Sequence, residues 1–329
     1  MANFGGTDEE NPGSPFHRGE RAVQQRLGVA ERVAPLGRQS LRDVMPDQHR
    51  EFFAQLPFIL VGTRDGNGQS WASALCGPPG FARASDPRRL EVQALPLPGD
   101  PLHDTLHAGV PIGLLGIEPH TRRRNRMNGI VEDVGPGGFA VRVVQSFGNC
   151  PKYIQARHAQ YDAEFARARP SSAVENCAVL DVGMRAMIAA ADTLYIASAF
   201  VGDEATATAA CGADVSHRGG RAGFVRCVNE RTLLMPDFAG NNLYNTLGNL
   251  LIEPRGGLLF MDFENGDLLY VAVQTEILWD GPDVEAYRGA QRALRFEVLA
   301  ARRVTRVLPL RWGEAALSPF LERTGDWRE

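Results

Sequence analysis

The chain has 329 residues, of which 44% are hydrophobic and 22% charged, and its formal net charge is −4. This length suits about two domains, and the lack of a basic excess argues against a nucleic-acid partner. The longest apolar runs are too short to cross a bilayer, and residues 1–13 lack the apolar segment of a signal peptide. We therefore expect a cytoplasmic protein without a membrane partner.

The first half of the chain is predicted to be mainly β. Residues 1–44 are expected to form a tail with a short helix at Gly19–Leu27, and a second helix follows at Asp47–Leu56. Beyond them, short apolar runs separated by turns predict strands in a first β region over residues 45–150. The expected strands are Phe58–Thr63, Gln69–Leu75, Arg89–Ala94, Ile112–Ile117, Arg122–Val131 and Phe139–Gln145, with a short helix near Leu102–Ala108. No regular alternation of strand and helix is visible, which favours antiparallel sheets.

A helical connector is predicted over residues 151–191, from the segments Pro151–Arg169 and Gly183–Ala191. The β pattern then returns over residues 192–315, and residues 316–329 are expected to form a C-terminal tail. The expected elements are strands at Thr193–Ala199, Ala205–Gly212, Phe224–Val228, Thr232–Met235, Gly257–Phe263 and Asp267–Leu278, a helix at Asn241–Leu251, and one or two strands within Phe296–Leu310.

The two β regions resemble each other in sequence. The segment Leu102-His-Asp-Thr-Leu106 in the first region matches Leu243-Tyr-Asn-Thr-Leu247 in the second. Each lies between a predicted strand and a Gly-Leu-Leu segment that opens the next strand. The shared order of elements predicts a tandem duplication of one β-barrel.

Several common site motifs are absent from the sequence. No GxGxxG segment follows a predicted strand, and there is neither a Walker loop nor an HExxH pair. The seven histidines and five cysteines show no paired spacing typical of a metal site, so we expect no metal. Candidate chemistry is therefore left to the polar segments of the second half.

The first such segment covers residues 214–223 and is predicted to be a Gly/Arg-rich loop. It offers hydroxyl, imidazole and guanidinium donors on a flexible backbone, from Ser216, His217, Arg218 and Arg221. That combination suits an anionic ligand. The alternative is a solvated hairpin loop without a ligand.

The second segment is a polar turn before the predicted helix Asn241–Leu251. Its candidate residues are Asp237, Phe238, Gly240, Asn241 and Asn242. A Gly/Asn-rich turn at a helix N-terminus exposes free N–H groups and the positive end of the helix dipole, where a phosphate can bind. The alternative is an asparagine N-cap without a ligand.

An arginine cluster on a first-half strand has two interpretations. Arg122, Arg124 and Arg126 would share one strand face. They either keep an edge strand solvated or supply positive charge to a ligand in the facing barrel. Near this cluster in sequence lie Lys152, which is the only lysine of the chain, and Cys150, which is either structural or reactive.

Four segments resemble a known family. Arg221–Val228, Leu233–Asn242 and Asn249–Phe260 are similar to segments of the pyridoxamine 5'-phosphate oxidase-like split-barrel flavoproteins. Gln145–Ile154, which contains Phe-Gly-Asn-Cys-Pro-Lys-Tyr-Ile, resembles a larger two-barrel subgroup of that family. The resemblance covers roughly residues 45–310.

The resemblance implies a mainly β fold of two tandem FMN-binding split β-barrels with short flanking helices, packed as an internal pseudo-dimer. It implies an FMN-binding oxidoreductase of unknown substrate, with NAD(P)H as a candidate electron donor and a homodimer as a candidate assembly. By this resemblance Phe224, Val225 and Arg226 lie beside the flavin ring, and residues 237–242 hold the phosphate.

The phosphate turn of this chain has no cation of its own, so an arginine is expected to complete it. Arg218 and Arg221 are the first candidates, and Lys152 or the Arg122–Arg126 face come next. His217 is the candidate acid or base, because an unperturbed imidazole titrates near neutral pH.

The equivalent turn of the first half is expected to be degenerate. Pro96 and Pro98 remove N–H donors, and Asp100 repels a phosphate. A non-catalytic flavin- or haem-binding carrier or sensor is the alternative function, and an empty barrel that acts as an interaction module is a third possibility.

Overall fold

The computed structural model describes residues 14–168, 170–202 and 209–328. Its first-half elements are α1 (Arg18–Arg26), α2 (Ala30–Ser40), α3 (Asp47–Gln55), β1 (Phe58–Arg64), β2 (Ser70–Cys76), β3 (Ala82–Asp86), β4 (Arg89–Val92), α4 (Leu102–Thr105), β5 (Pro111–Glu118), β6 (Arg123–Gly135), β7 (Gly138–Gly148) and β8 (Ala159–Tyr161). The later elements are α5 (Ala163–Ala168), β9 (Val174–Cys177), α6 (Val182–Ala190), β10 (Thr193–Phe200), β11 (Gly212–Gly219), β12 (Arg226–Cys227), β13 (Thr232–Asp237), α7 (Asn245–Ile252), β14 (Arg255–Met261), β15 (Leu268–Leu278), α8 (Pro282–Glu285), β16 (Arg292–Val304) and β17 (Leu310–Trp312).

Two antiparallel sheets dominate the structure, and they share one strand order. The first runs β2-β1-β5-β6-β7-β4-β3, and the second runs β11-β10-β14-β15-β16-β13-β12, with β9 paired to β16. A short ribbon joins β8 and β17. The expectation of a mainly β, antiparallel protein is confirmed, and the fold is consistent with a split barrel. Within the described residues, no helix has the length and apolar character needed to cross a membrane.

The two sheets also share their strand registers. In each sheet the middle residue of the Gly-Leu-Leu segment pairs with an aliphatic residue, which in turn pairs with a serine. These partners are Leu114, Val61 and Ser73 in the first sheet, and Leu258, Ile196 and Ser216 in the second. Positions in the two halves can therefore be matched residue by residue along the paired strands.

The glycine of each Gly-Leu-Leu segment lies where the two sheets come together. A Cβ on Gly113 would lie 2.7 Å from the carbonyl oxygen of Ala213 in β11, and a Cβ on Gly257 would overlap the carbonyl of Ser70 in β2. Between the sheets, aromatic and aliphatic side chains of both halves form one buried cluster that includes Phe58. The repeated glycines thus permit the close packing of the two halves.

Two local predictions are wrong. Among the described residues of the predicted helix Pro151–Arg169, only Ala163–Ala168 are helical, and Ala159–Tyr161 form β8, which pairs with β17. The predicted loop at residues 214–223 is mostly strand β11, whose ladder with β10 extends to Gly219. The first half of the expected strand Ala205–Gly212, residues 205–208, lies outside the described residues, and the observed partner strand begins at Gly212.

Three further boundaries differ from the sequence prediction. The expected strand Phe224–Val228 shortens to β12, and the helix expected from Asn241 begins at Asn245. The segment Phe296–Leu310 resolves into β16 and β17, which are separated by a bend with Arg306 at a positive φ of 51°.

Candidate functional site

A polar cleft opens between the two halves of the chain. Its free space, including the open mouth, is about 820 Å³. The first half contributes β6 and residues 149–153, and the second half contributes β11 and residues 236–247.

Most of the residues predicted from sequence line this cleft. They are Lys152, Ser216, His217, Arg218, Phe224, Asp237, Phe238, Gly240, Asn241 and Asn242. The strand β11 and the turn before α7 therefore meet in space, as the sequence interpretation required, although β11 is a strand and not a loop.

Three of the predicted residues do not line the cleft. The Arg221 guanidinium points to the C-terminal segment, where Nη2 lies 3.5 Å from the Leu321 carbonyl oxygen. Val225 is 1% exposed and packs in the core of the second half. Arg226 is exposed on β12.

Arg124, Arg126 and Cys150 also line the cleft. The sequence named the two arginines as a second source of positive charge, because their period-two spacing places them on one strand face. Arg122, predicted to share that face, lies just before β6 with φ 57° and donates through Nε to the Ile154 carbonyl oxygen at 3.0 Å. The sequence prediction omitted other lining residues, which include Asn149, Tyr153, Tyr244, Asn245 and Thr246.

Arg126 crosses from the first half to the second. Its Nη1 donates to Asp214 Oδ2 at 2.8 Å and to Asn245 Oδ1 at 3.0 Å. Its Nη2 donates to the Val215 carbonyl at 3.0 Å and also contacts Ser216 Oγ. At 3% exposure this guanidinium is held by protein groups, and its ion pair with Asp214 balances its charge.

Two other arginines in the cleft lack such compensation. Arg124 donates only to carbonyls, from Nε to Cys150 at 2.6 Å and from Nη1 to His217 at 3.3 Å. Burial, and after it the neighbouring Arg218 cation, lower the pKa of Arg124. Burial also lowers the pKa of Arg218, as expected where like charges are crowded away from water.

The carboxylate nearest to these arginines is already engaged. Asp237 Oδ2 accepts from Arg292 Nε at 3.0 Å and from Arg292 Nη2 at 2.8 Å. Arg218 Nε lies 3.8 Å from Asp237 Oδ1 and makes no hydrogen bond within the described part of the chain. Asp237 therefore anchors Arg292 and only partly neutralises Arg218.

The cleft thus carries an excess of positive charge. Its described lining has four cations, Arg124, Arg126, Lys152 and Arg218, and one carboxylate, Asp237. With Asp214 paired to Arg126 and Arg292 paired to Asp237, no described carboxylate remains to balance Arg124 and Lys152. This arrangement favours an anionic ligand.

The helix α7 begins in the cleft without a side-chain cap. Its N-cap residue Tyr244 has φ 63° and accepts no backbone hydrogen bond on its side chain. The first-turn N–H groups of a helix have no partner within the helix, so they are available to an anion in the cleft. Two more lining residues also have a left-handed backbone, Tyr153 with φ 63° and Asn242 with φ 64°, and such strained positions cluster at functional sites.

One wall of the cleft is aromatic. The rings of Tyr153 and Phe238 lie 4.9 Å apart, and Phe238 continues to Tyr287 at 5.7 Å. Aromatic rings at these separations offer flat apolar surface to a planar ligand.

His217 differs from the prediction made for it. Its side chain is 3% exposed and its ring packs on Tyr195 at 5.8 Å. Burial, followed by the Arg124 and Arg218 cations, holds its pKa well below the usual value of 6.5. The premise that this imidazole titrates near neutral pH is therefore wrong, and His217 is neutral at physiological pH.

The equivalent position in the first half is closed by protein groups. Asp100 Oδ1 accepts from Ser73 Oγ at 2.5 Å and from the Leu102 N–H at 2.8 Å, and Oδ2 accepts from the Tyr270 hydroxyl at 3.0 Å. By strand register, Leu75 stands where the second half has Arg218. In the same way Leu268 and Tyr270 replace Arg124 and Arg126.

Comparisons with known proteins find only distant similarity. No family model matches the chain, and no curated protein matches it. A HupZ variant from Group A Streptococcus is 13% identical, with 37% of this chain and 97% of that chain covered at a TM-score of 0.28. A proposed pyridoxamine 5'-phosphate oxidase from Lactobacillus delbrueckii is 10% identical, with coverages of 38% and 94% and a TM-score of 0.29. A second HupZ structure from Group A Streptococcus is 14% identical, with coverages of 36% and 89% and a TM-score of 0.28. Similarity at this level does not establish a family.

Proposed function

We propose that the cleft binds FMN and that the chain is a flavin-dependent oxidoreductase built from two tandem split barrels. The sequence resemblance of residues 221–260 to split-barrel flavoproteins supports the cofactor. The shared strand order of the two sheets supports the tandem arrangement. FMN supplies reversible hydride transfer to an enzyme that holds it.

The observation that carries this proposal is the unbalanced positive charge beside the start of α7. A mononucleotide has one dianionic phosphate, which matches two guanidinium groups, an ammonium group and free helix N–H groups. Three buried nitrogens of cleft-lining residues, Arg126 Nε, Asn149 Nδ2 and Arg218 Nε, make no hydrogen bond within the described residues. Unsatisfied buried donors are uncommon in folded proteins, and a phosphorylated ligand would satisfy them.

The residues of the chain divide into two roles in this proposal. Arg124, Lys152 and Arg218 hold the phosphate by charge. Tyr153 and Phe238 offer the aromatic surface for the planar ring system. The substrate would then be a small molecule that reaches the open side of the cleft.

We also propose one flavin for each chain. The first-half counterpart has leucines and a tyrosine where the cleft has Arg218, Arg124 and Arg126. Asp100 occupies this first-half position, and when ionised its carboxylate repels a phosphate.

Titration of the protein into FMN tests the proposal, with flavin fluorescence as the signal and riboflavin as the matched ligand without phosphate. We expect FMN to bind much more tightly than riboflavin, because riboflavin cannot use the cations. Equal affinity for the two ligands, or no binding of either, would contradict the proposal.

A carrier or sensor without turnover is the second candidate, and one observation favours it. Among the described residues of the cleft lining, the one imidazole is neutral and buried, so it is poorly suited to donate a proton to substrate. Anaerobic addition of NAD(P)H to the FMN complex separates the two candidates. Bleaching of the flavin absorption supports the enzyme, and an unchanged spectrum supports the carrier. A Soret band on addition of haem would indicate that the carrier or sensor binds haem.

A further inference from the structure

The N-terminal helix α1 docks directly against the helix that opens the cleft. Gly19 lies so close to α7 that a Cβ on it would overlap the Gly248 carbonyl oxygen. Gln24 Nε2 donates to the Leu243 carbonyl at 3.1 Å, just before the left-handed Tyr244. The helix α1 therefore holds both the body of α7 and the turn that leads into it.

A buried carboxyl group lies at the centre of this contact. Glu20 is 3% exposed, and its Oε2 accepts from the His17 N–H at 2.9 Å as part of a capping box. Its other oxygen, Oε1, accepts from Asn245 Nδ2. A capping role needs only one of these oxygens. The contact with Asn245 is therefore additional to helix capping.

The Asn245 amide connects this carboxyl to the cleft. Its nitrogen donates to Glu20, and its oxygen accepts from Arg126 Nη1 at 3.0 Å. Both ends of the amide are therefore fixed, which fixes its orientation. Asn245 is also the first residue of α7 and lines the cleft.

We propose that Glu20 is a positioning residue of the cleft, which through Asn245 fixes Arg126 and the first turn of α7, so that the docked helix α1 sets the affinity of the cleft for an anion. This inference rests on the proposed function, because the anion it concerns is the FMN phosphate.

The electrostatics around Glu20 give this role a pH dependence. Burial is the main cause that raises the pKa of Glu20 to about 8, and Asp214 from β11 acts in the same direction. The hydrogen bonds from the His17 N–H and from Asn245 on α7, and the Arg126 cation from β6, act in the opposite direction. At the N-cap of α1, burial lowers the pKa of His17 to about 4. Glu20 is therefore neutral at pH 7, and its ionisation above pH 8 brings a negative charge beside the Arg126 network.

The test measures FMN affinity at pH 7 and at pH 9.5 for the full chain and three variants. Glu20→Ala, which removes the acceptor for Asn245, should weaken FMN binding about tenfold at pH 7. Glu20→Gln keeps the side-chain size and an acceptor oxygen, so it should keep most of the affinity. Glu31→Gln, on the exposed surface of α2, is the matched control and should behave as the unmodified chain.

The pH profile separates positioning from a merely structural role. The unmodified chain should lose at least about threefold more affinity between pH 7 and pH 9.5 than Glu20→Gln does. Other ionisable groups of the cleft, Cys150 and Lys152 among them, are present in both proteins, so their effects cancel in the comparison. Because Glu20→Gln keeps the size of the side chain and an acceptor oxygen, this comparison remains decisive if Glu20→Ala does not fold.

The outcomes distinguish the two proposals. If the unmodified chain binds FMN, but the Glu20 variants match Glu31→Gln in affinity and in pH profile, the positioning role is wrong and the proposed function stands. If the unmodified chain binds neither FMN nor inorganic phosphate at pH 7, the cleft has no anion site and both proposals are wrong.

Discussion

Arg126 and Tyr270 occupy equivalent positions in the two sheets, each opposite the last leucine of its Gly-Leu-Leu segment. Each also crosses to the other half of the chain, where Arg126 reaches Asp214 and Tyr270 reaches Asp100. The two halves are thus joined in the same way on both sides. Arg126 is a cation beside an open cleft. Tyr270 instead donates its phenol hydroxyl to the buried Asp100 carboxyl group, where the described residues leave no open cleft.

The unbalanced arginines should carry the affinity for phosphate. We expect Arg124→Ala and Arg218→Ala each to weaken FMN binding about tenfold, because a charged hydrogen bond contributes roughly 1.5–3 kcal/mol. Riboflavin affinity should change little. Arg221→Ala and Arg226→Ala are matched controls, since neither side chain lines the cleft. Losses of equal size in all four variants would contradict a specific phosphate site.

The asymmetry of the two halves predicts the binding stoichiometry. Because the first-half counterpart lacks the cations, calorimetric titration should reach one tight FMN equivalent for each chain and no more. A second tight equivalent would show that the closed pocket opens and binds flavin.

The Asp100 network should act on stability and not on ligand binding. Tyr270→Phe removes a buried hydrogen bond to Asp100, and we expect the free energy of unfolding to fall by about 1–3 kcal/mol. FMN affinity should remain within twofold of the unmodified chain, because Tyr270 does not line the cleft. Urea denaturation and a flavin titration of the same sample measure both quantities, and a large loss of flavin affinity would contradict the assignment.

The buried Glu20 predicts a pH dependence of folding. Its pKa rises from the ordinary value of 4.5 to about 8 on folding, so the folded state retains a proton that the unfolded state has lost between these pH values. The contribution of Glu20 to stability is therefore full below pH 4.5 and is lost as the pH rises to 8.

Replacement of this carboxyl by an amide removes that pH dependence. We therefore compare the free energy of unfolding of Glu20→Gln with that of the unmodified chain at pH 5 and at pH 9. The difference should shift in favour of Glu20→Gln at pH 9 by up to a few kcal/mol, because a tenfold change in proton affinity corresponds to about 1.4 kcal/mol. Denaturation curves of both proteins at the two pH values test this, and a constant difference between them would refute it.

Much of the fold could be predicted from local sequence patterns. Apolar runs between turns mark β1, β5, β14 and β15, because each strand buries its apolar residues and is bounded by turn-forming residues. The errors have tertiary causes. The glycines and arginines of residues 214–223 suggest a loop, yet the ladder with β10 makes the segment a strand as far as Gly219. The alanine- and arginine-rich residues 151–169 suggest a helix, yet Ala159–Tyr161 within them pair with β17 as a strand.

The second-half side of the cleft could be predicted in more detail than the first-half side. Its second-half residues form short polar segments that are contiguous in sequence, such as residues 237–242. On the first-half side, strand spacing and the single lysine pointed to Arg124, Arg126 and Lys152 as cation candidates. Asn149 and Tyr153 enter the cleft only because the two halves pack together, which no local pattern shows. The neutral state of His217 has the same origin, since its burial and the nearby Arg124 cation depend on that packing.

The absorption spectrum of the purified protein, mixed with FMN and then freed of unbound ligand, tests the central claim most directly. We predict a retained flavin spectrum with one FMN for each chain, and loss of that spectrum when Arg124 and Arg218 are both replaced by alanine. A colourless protein after removal of free FMN, or a spectrum that the double substitution leaves unchanged, would contradict the assignment of the cleft as an FMN site.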